Sequence, residues 1–184
     1  MLITAFFVAL VAAASSGAAE LDDPVYLAPG QPVDEDLLLG SGSLELTFVV
    51  VGDVVDWTLD PTQNPNTQAG SIRLTAGSPW QVTVSSDAGG YLAEYDTSTR
   101  QYVSGGKQLA MPMSINVVSI SGPSSYTGYK VDLSKGGTLV EGQSDLDSIE
   151  IPFTYEQDVS WQDAILPAGH IYRMSVTFIA SSGN

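Results

Sequence analysis

The chain contains no cysteine. Disulfides and thiolate metal sites are therefore excluded, and the fold must be held by its core alone. A chain of 184 residues is long enough to bury such a core as one domain. Histidine occurs once, at His170. Cations are scarce: 6 Lys and Arg stand against 21 Asp and Glu, a formal charge of -15. Nucleic acid and anionic membrane surfaces would repel such a chain. Charged residues make up 15% of the sequence, below the usual ~25%. Amphipathic helical periodicity is missing beyond the first segment.

What is present is period-two alternation. In Ser43–Asp60 it predicts two strands folded on Gly52-Asp53, a dipeptide suited to a two-residue turn. In that register Val50 faces Val55, Phe48 faces Trp57 and Leu46 faces Leu59. A second hairpin is expected from Ser71–Ala76, Gly77-Ser78-Pro79 and Trp80–Ser85, and a third turn of the same kind at Lys135-Gly136-Gly137-Thr138. Met113–Ile120 and Tyr129–Leu133 are further strand candidates. In Ile149–Trp161 the residues Ile149, Ile151, Phe153, Tyr155, Val159 and Trp161 share one parity, which only Gln157 interrupts. Pro152 cannot donate to a ladder and predicts an edge or a bulge there. The last strand reads Tyr172, Met174, Val176, Phe178 and Ala180 inward. Many short alternating strands separated by turns predict an all-β fold, an antiparallel β-sandwich of Ig-like or jelly-roll-like form.

Three regions are expected. Residues 1–19 carry no charged side chain. They contain an apolar run, Ile3 to Ala14, and then small residues that suit cleavage near Ala18 or Ala19. They read as a signal peptide, an N-terminal signal helix ahead of the sandwich, and retention as an anchor is the alternative. Residues 20–42 are a polar, Pro-containing lead-in with two short apolar patches, Val25-Tyr26-Leu27 and Leu37-Leu38-Leu39. This arm has two open readings, packing on its own domain or on another copy. Residues 43–184 form the single β-sandwich domain.

Chemistry-bearing residues are few. His170, just before the last strand and without a G-x-S-x-G elsewhere, reads as a surface or strand-end residue rather than a triad member. The carboxylate pairs Asp22-Asp23, Asp34-Glu35-Asp36, Asp145/Asp147 and Glu156/Asp158 read as solvated, since glycosidic chemistry needs two carboxylates facing across a cleft. The loop Asp60, Thr62, Asn64, Asn66 sets oxygen side chains at every second position, like the start of a calcium loop. A turn rich in Asn and Asp gives the same string without an ion. Glu45, opposite Asp60 in the predicted register, is the like charge that a cation would relieve. Trp57, Trp80 and Trp161 share the apolar parity of their strands and read as core, with a carbohydrate platform as the alternative. No catalytic, cofactor-binding or metal residue is assigned.

Trp57-Thr-Leu-Asp-Pro61, Ser78-Pro-Trp80-Gln-Val, Glu94-Tyr-Asp96 and Tyr172-Arg-Met-Ser-Val-Thr-Phe-Ile-Ala180 are similar to uncharacterised secreted archaeal β-sandwich surface proteins. More distantly, Trp57-Thr-Leu59 and the Trp80 strand resemble WxL-type surface domains of bacteria. Those domains carry a second Trp-x-Leu near the C-terminus, where this chain has Val176-Thr-Phe178. The resemblance implies an extracellular surface protein without catalysis. The expected function is a secreted, non-enzymatic structural or interaction protein, a filament or envelope subunit assembling by strand addition. Its partner would be another copy of itself or another surface protein. The alternative is an extracellular glycan-binding module, with calcium as a candidate aid; Tyr91, Tyr95 and Tyr102 in the irregular middle are its candidate contacts.

Overall fold

The computed structural model describes residues 3–14, 46–51, 57–121, 125–143 and 145–182. These contain strands and no helix. In chain order the strands are β1 (Ile3–Ala14), β2 (Leu46–Val51), β3 (Trp57–Leu59), β4 (Asn66–Ala76) and β5 (Trp80–Ser86). Next come β6 (Ala93–Asp96), β7 (Gln101–Tyr102), β8 (Ser114–Val117) and β9 (Tyr126–Gly128). The last four are β10 (Lys130–Asp132), β11 (Gly137–Gly142), β12 (Asp145–Gln157) and β13 (His170–Ser182).

They form two sheets in a sandwich-like arrangement. The larger has 8 strands in the order β3-β1-β13-β5-β11-β9, with β6 paired to β13 and β7 to β6. The smaller has 5, in the order β10-β8-β12-β4-β2. Pairing is antiparallel throughout except for β1 beside β13. Inward residues of both sheets meet in one core. Tyr172, Met174, Val176, Phe178 and Ala180 come from β13, and Ile149, Ile151, Phe153 and Tyr155 from β12. Phe153 and Phe178 touch across the gap with centroids 5.6 Å apart, and Phe153 meets Tyr155 edge-on at 5.0 Å. The inward parity expected of the last two strands is therefore the observed one.

The predicted hairpins are not formed. β2 pairs with β4 in the smaller sheet, Phe48 opposite Leu74. β3 pairs with β1 in the larger, so Phe48 does not face Trp57. The Gly52-Asp53 turn and Glu45 lie outside the described residues. The chain likewise crosses between sheets from β4 to β5 and from β10 to β11. Only β6 and β7 follow a strand of their own sheet; every other described strand follows one from the opposite sheet. The physical reason is that a corner between sheets and a hairpin within one both need a tight, glycine-rich turn. Both also bring apolar faces into the same interior.

Pro152 is accommodated at a local edge. β12 is central in its sheet, but β8 pairs with it only from Phe153 to Glu156, so at Pro152 the sole neighbour is β4. The irregularity in β12 falls instead between Asp145 and Ile149. Ile3–Ala14, within the segment read as a signal peptide, runs as β1 between β13 and β3. The lead-in 20–42 lies outside the described residues.

Candidate functional site: the Trp161 loop and the open edge of β2

Beyond Gln157 the alternation carries on for two residues and then fails. Gln157 is fully buried; its Nε2 donates to the Met111 carbonyl at 3.0 Å and to that of Asp158 at 2.8 Å, while its Oε1 finds no hydrogen-bond partner among the described residues. Val159 is buried as its parity requires, but Trp161 is 67% exposed. This corrects the core reading of Trp161; Trp57 and Trp80 are buried at 8% and 3% exposure. The cause is a turn. Asp163 N donates to the Ser160 carbonyl at 3.1 Å, which rotates Trp161 out of the strand's plane.

The loop is clamped rather than loose. The buried Asp163 carboxylate accepts from Ala110 N (3.0 Å) and Ser160 N (2.7 Å). Asn64 closes the other side, donating to the Val159 carbonyl at 2.9 Å and accepting from Val159 N at 2.9 Å. Lys107 Nζ donates to the Ile165 carbonyl at 3.1 Å. Trp161, Ile165 (67% exposed) and Met111 (49%) thus sit on backbone held by hydrogen bonds. Large apolar side chains on rigid backbone are the usual makings of an interaction surface.

His170 opens β13, at a strand end as expected, but is not a free surface residue. Its Nδ1 lies 2.7 Å from Glu94 Oε1, and Glu94 is buried at 7% exposure. Glu94 Oε2 accepts from Lys107 N at 2.8 Å, and this backbone donor, with His170 after it, holds the carboxyl below its ordinary range against the effect of burial. This is an acid–imidazole pair; no hydroxyl hydrogen-bonds the imidazole among the described residues. Tyr172, opposite Glu94 on the neighbouring strand, donates its OH to the Ala164 carbonyl at 2.8 Å. Burial and then the Asp163 and Glu94 charges push that phenol up to about 12.

Asp60 Oδ1 and Asn66 Oδ1 accept hydrogen bonds from within the loop, and Asn64 Oδ1 accepts from Val159 N outside it. Asp60 Oδ1 accepts from Thr62 N and Thr62 Oγ1, both at 2.8 Å. Asn66 Oδ1 accepts from Asp60 N at 2.7 Å, and its Nδ2 donates to the Asp60 and Gln63 carbonyls. Asn64 braces Val159 as above. The Asx-turn reading describes what these side chains do. Among the described residues no group of three or more His, Cys, Asp or Glu is placed to hold a metal.

The remaining candidates do not converge. Glu156 pairs with Lys130 Nζ at 2.6 Å and accepts from Asn116 Nδ2 at 3.3 Å, while Asp158 is exposed beyond the strand end. The side chains of Asp145 and Asp147, and residues 22, 23 and 34–36, lie outside the described set. Tyr95 and Tyr102 meet edge-on at 5.4 Å, with the Arg173 guanidinium 4.3 Å over Tyr95 and the Tyr102 hydroxyl donating to Asp87 at 2.8 Å. They form a cluster on β6, β7 and β13. A recess of about 540 Å³ opens between Trp80, Tyr126, Glu141 and Gln143. The buried Trp80 Nε1 and Tyr126 OH find no hydrogen-bond partner among the described residues, but both atoms are closed to solvent and offer the recess nothing.

The second surface feature is β2. Its sequence LTFVVV has no charge, and among the described residues it pairs only with β4. Leu46, Phe48 and Val50 pack on the core, while Val49 and Val51 stand 44% and 43% exposed. Natural edge strands usually carry a lysine, a proline or a cover that blocks further pairing. Here Val49 and Val51 occupy the outward positions where such a residue would stand. Alternation alone could not distinguish this edge from an inner strand, so the sequence reading missed it.

No family model matches the chain, and no curated protein matches it.

Proposed function

We propose that this is a secreted, non-enzymatic surface protein whose role is structural: a subunit that assembles with other copies by pairing sheet edges. The observation that carries the reading is β2, a six-residue uncharged strand with one neighbour among the described residues and with valine where edge strands usually carry protection. The uncharged, apolar segment 1–19 supports export, and the resemblance to archaeal surface sandwiches of Ig-like or jelly-roll-like form agrees with both. The test is sedimentation velocity of residues 20–184 across a concentration series, beside Val49→Lys and Val51→Lys. Concentration-dependent oligomers that the lysines weaken are expected. A monomer at every concentration overturns the proposal.

One observation favours a second reading. The clamped, exposed Trp161 is the kind of ring on which a sugar face stacks, as a surface glycan-binding module requires. A glycan array probed with the wild type and Trp161→Ala, with and without chelator, decides it. Binding lost in the variant supports the reading, and no binding in any arm removes it.

A further inference from the structure

β13 is the centre of the larger sheet, and its two sides differ. On one side β6 covers His170–Arg173 and β5 covers Val176–Ser182. On the other, Tyr172–Ser181 are paired by β1 alone. Among the described residues β3 is held to the sheet only through β1, Ile3 opposite Leu59 and Ala5 opposite Trp57. Yet Trp57 and Leu59 are buried, so β3 belongs to the core. The strand joining these two lies inside the segment read as a leader cut near Ala18 or Ala19. A processed chain would therefore lack the strand that completes its own sheet. Ten consecutive residues of β13 would lose their partners on that side, and unpaired buried backbone groups are costly.

We infer that in the processed protein the space between β13 and β3 is an acceptor slot, filled by the 20–42 arm of a second copy. This rests on the reading above that copies assemble by strand pairing, and it adds to the β2 edge a second contact with its own donor and acceptor. A strand entering the slot makes ladders on both flanks, whereas a strand added to β2 makes one. The arm supplies an uncharged run, Pro24 to Val33, lying between Asp23 and Asp34, and it includes Val25-Tyr26-Leu27. That run is as long as the stretch of β13 left bare, but Pro24, Pro29 and Pro32 cannot donate to a ladder, so its continuous pairing stretch is Val25–Ala28. Cleavage makes the arm a free N-terminal end, and fully extended it reaches about 75 Å. A domain of this size has a radius of gyration of about 15 Å, so an extended chain of that length is long enough to reach a second copy.

The absence of cysteine makes the test clean. Residues 20–184 are prepared as separate single-cysteine proteins. One set carries Val25→Cys, Tyr26→Cys or Leu27→Cys in the arm; another carries Thr177→Cys on β13; a control carries Val49→Cys on β2. Arm and β13 proteins are mixed under oxidising conditions. The expected result is a disulfide between two different chains, strongest at one parity of the arm, and several-fold weaker with the β2 control. An excess of peptide 20–42 should suppress it, and the chain 1–184, with β1 in place, should not form it. If arm and β13 cysteines placed in one chain join within that chain and no dimer forms, the donor is the same molecule and the inference fails. If oligomers form without any arm-to-β13 disulfide, the slot is wrong while edge assembly stands. If the protein is monomeric throughout, both fall.

Discussion

Gly70 sits opposite Phe153 in the β4–β12 ladder, and a Cβ built on it would lie 2.4 Å from the ring's Cζ. The glycine is there so that the ring can lie flat over the strand and reach Phe178. Gly70→Ala is expected to destabilise the protein by about 1–3 kcal/mol through overpacking, read as a fall in the denaturation midpoint. Phe153→Leu, costly alone, should recover part of that loss in the double variant; strict additivity would contradict the contact. A second residue-scale expectation concerns acid. Asp96 caps the β6–β7 turn, accepting from Ser98 Oγ and Ser98 N, and these bonds lower its carboxyl from 3.8 to about 2. A depressed carboxyl contributes stability that is complete above its unfolded value and is lost as pH falls through the folded one. The melting-temperature gap between wild type and Asp96→Asn should thus be full at pH 5 and shrink between about pH 4 and 2. A constant gap would contradict the assignment.

At the scale of elements, the loop after β12 is the best test of rigidity. Asp163→Ala removes the acceptor for two backbone donors, Ala110 N and Ser160 N. The expected cost is about 1–3 kcal/mol, since two part-buried backbone donors would lose their acceptor. Amide exchange at residues 110 and 160 should quicken with it, while Trp161→Ala should change stability by less than about 0.5 kcal/mol because the ring is largely exposed. Strand positions and inward faces were legible in the sequence because period two is a local property: Ile151, Phe153 and Tyr155 could only be buried together. Strand partners were not. Leu46, Phe48 and Val50 face inward equally well from a hairpin with Trp57 and from a separate sheet, so the pattern admitted both. Trp161 was misread for a related reason. Parity was extended past Gln157, whereas Asp163, the residue that ends the strand, acts through a buried carboxylate whose target, Ala110, is remote in sequence. Glu94 was missed as the partner of His170 because their pairing across β6 and β13 leaves no trace in spacing.

At the scale of the whole molecule, a formal charge of -15 sets a long-range repulsion between copies. The proposed assembly would then be driven by short-range contacts, backbone pairing and apolar side chains, and it should strengthen as salt screens the charge. Among the described residues, β2 is an edge that leaves such contacts unblocked. The most direct measurement is hydrogen exchange of the backbone amides of Leu46–Val51, compared between dispersed and salt-assembled protein. Slower exchange at outward-facing β2 amides on assembly, with the β4 amides unchanged, is the predicted result. Equal exchange of β2 in the two states would contradict it.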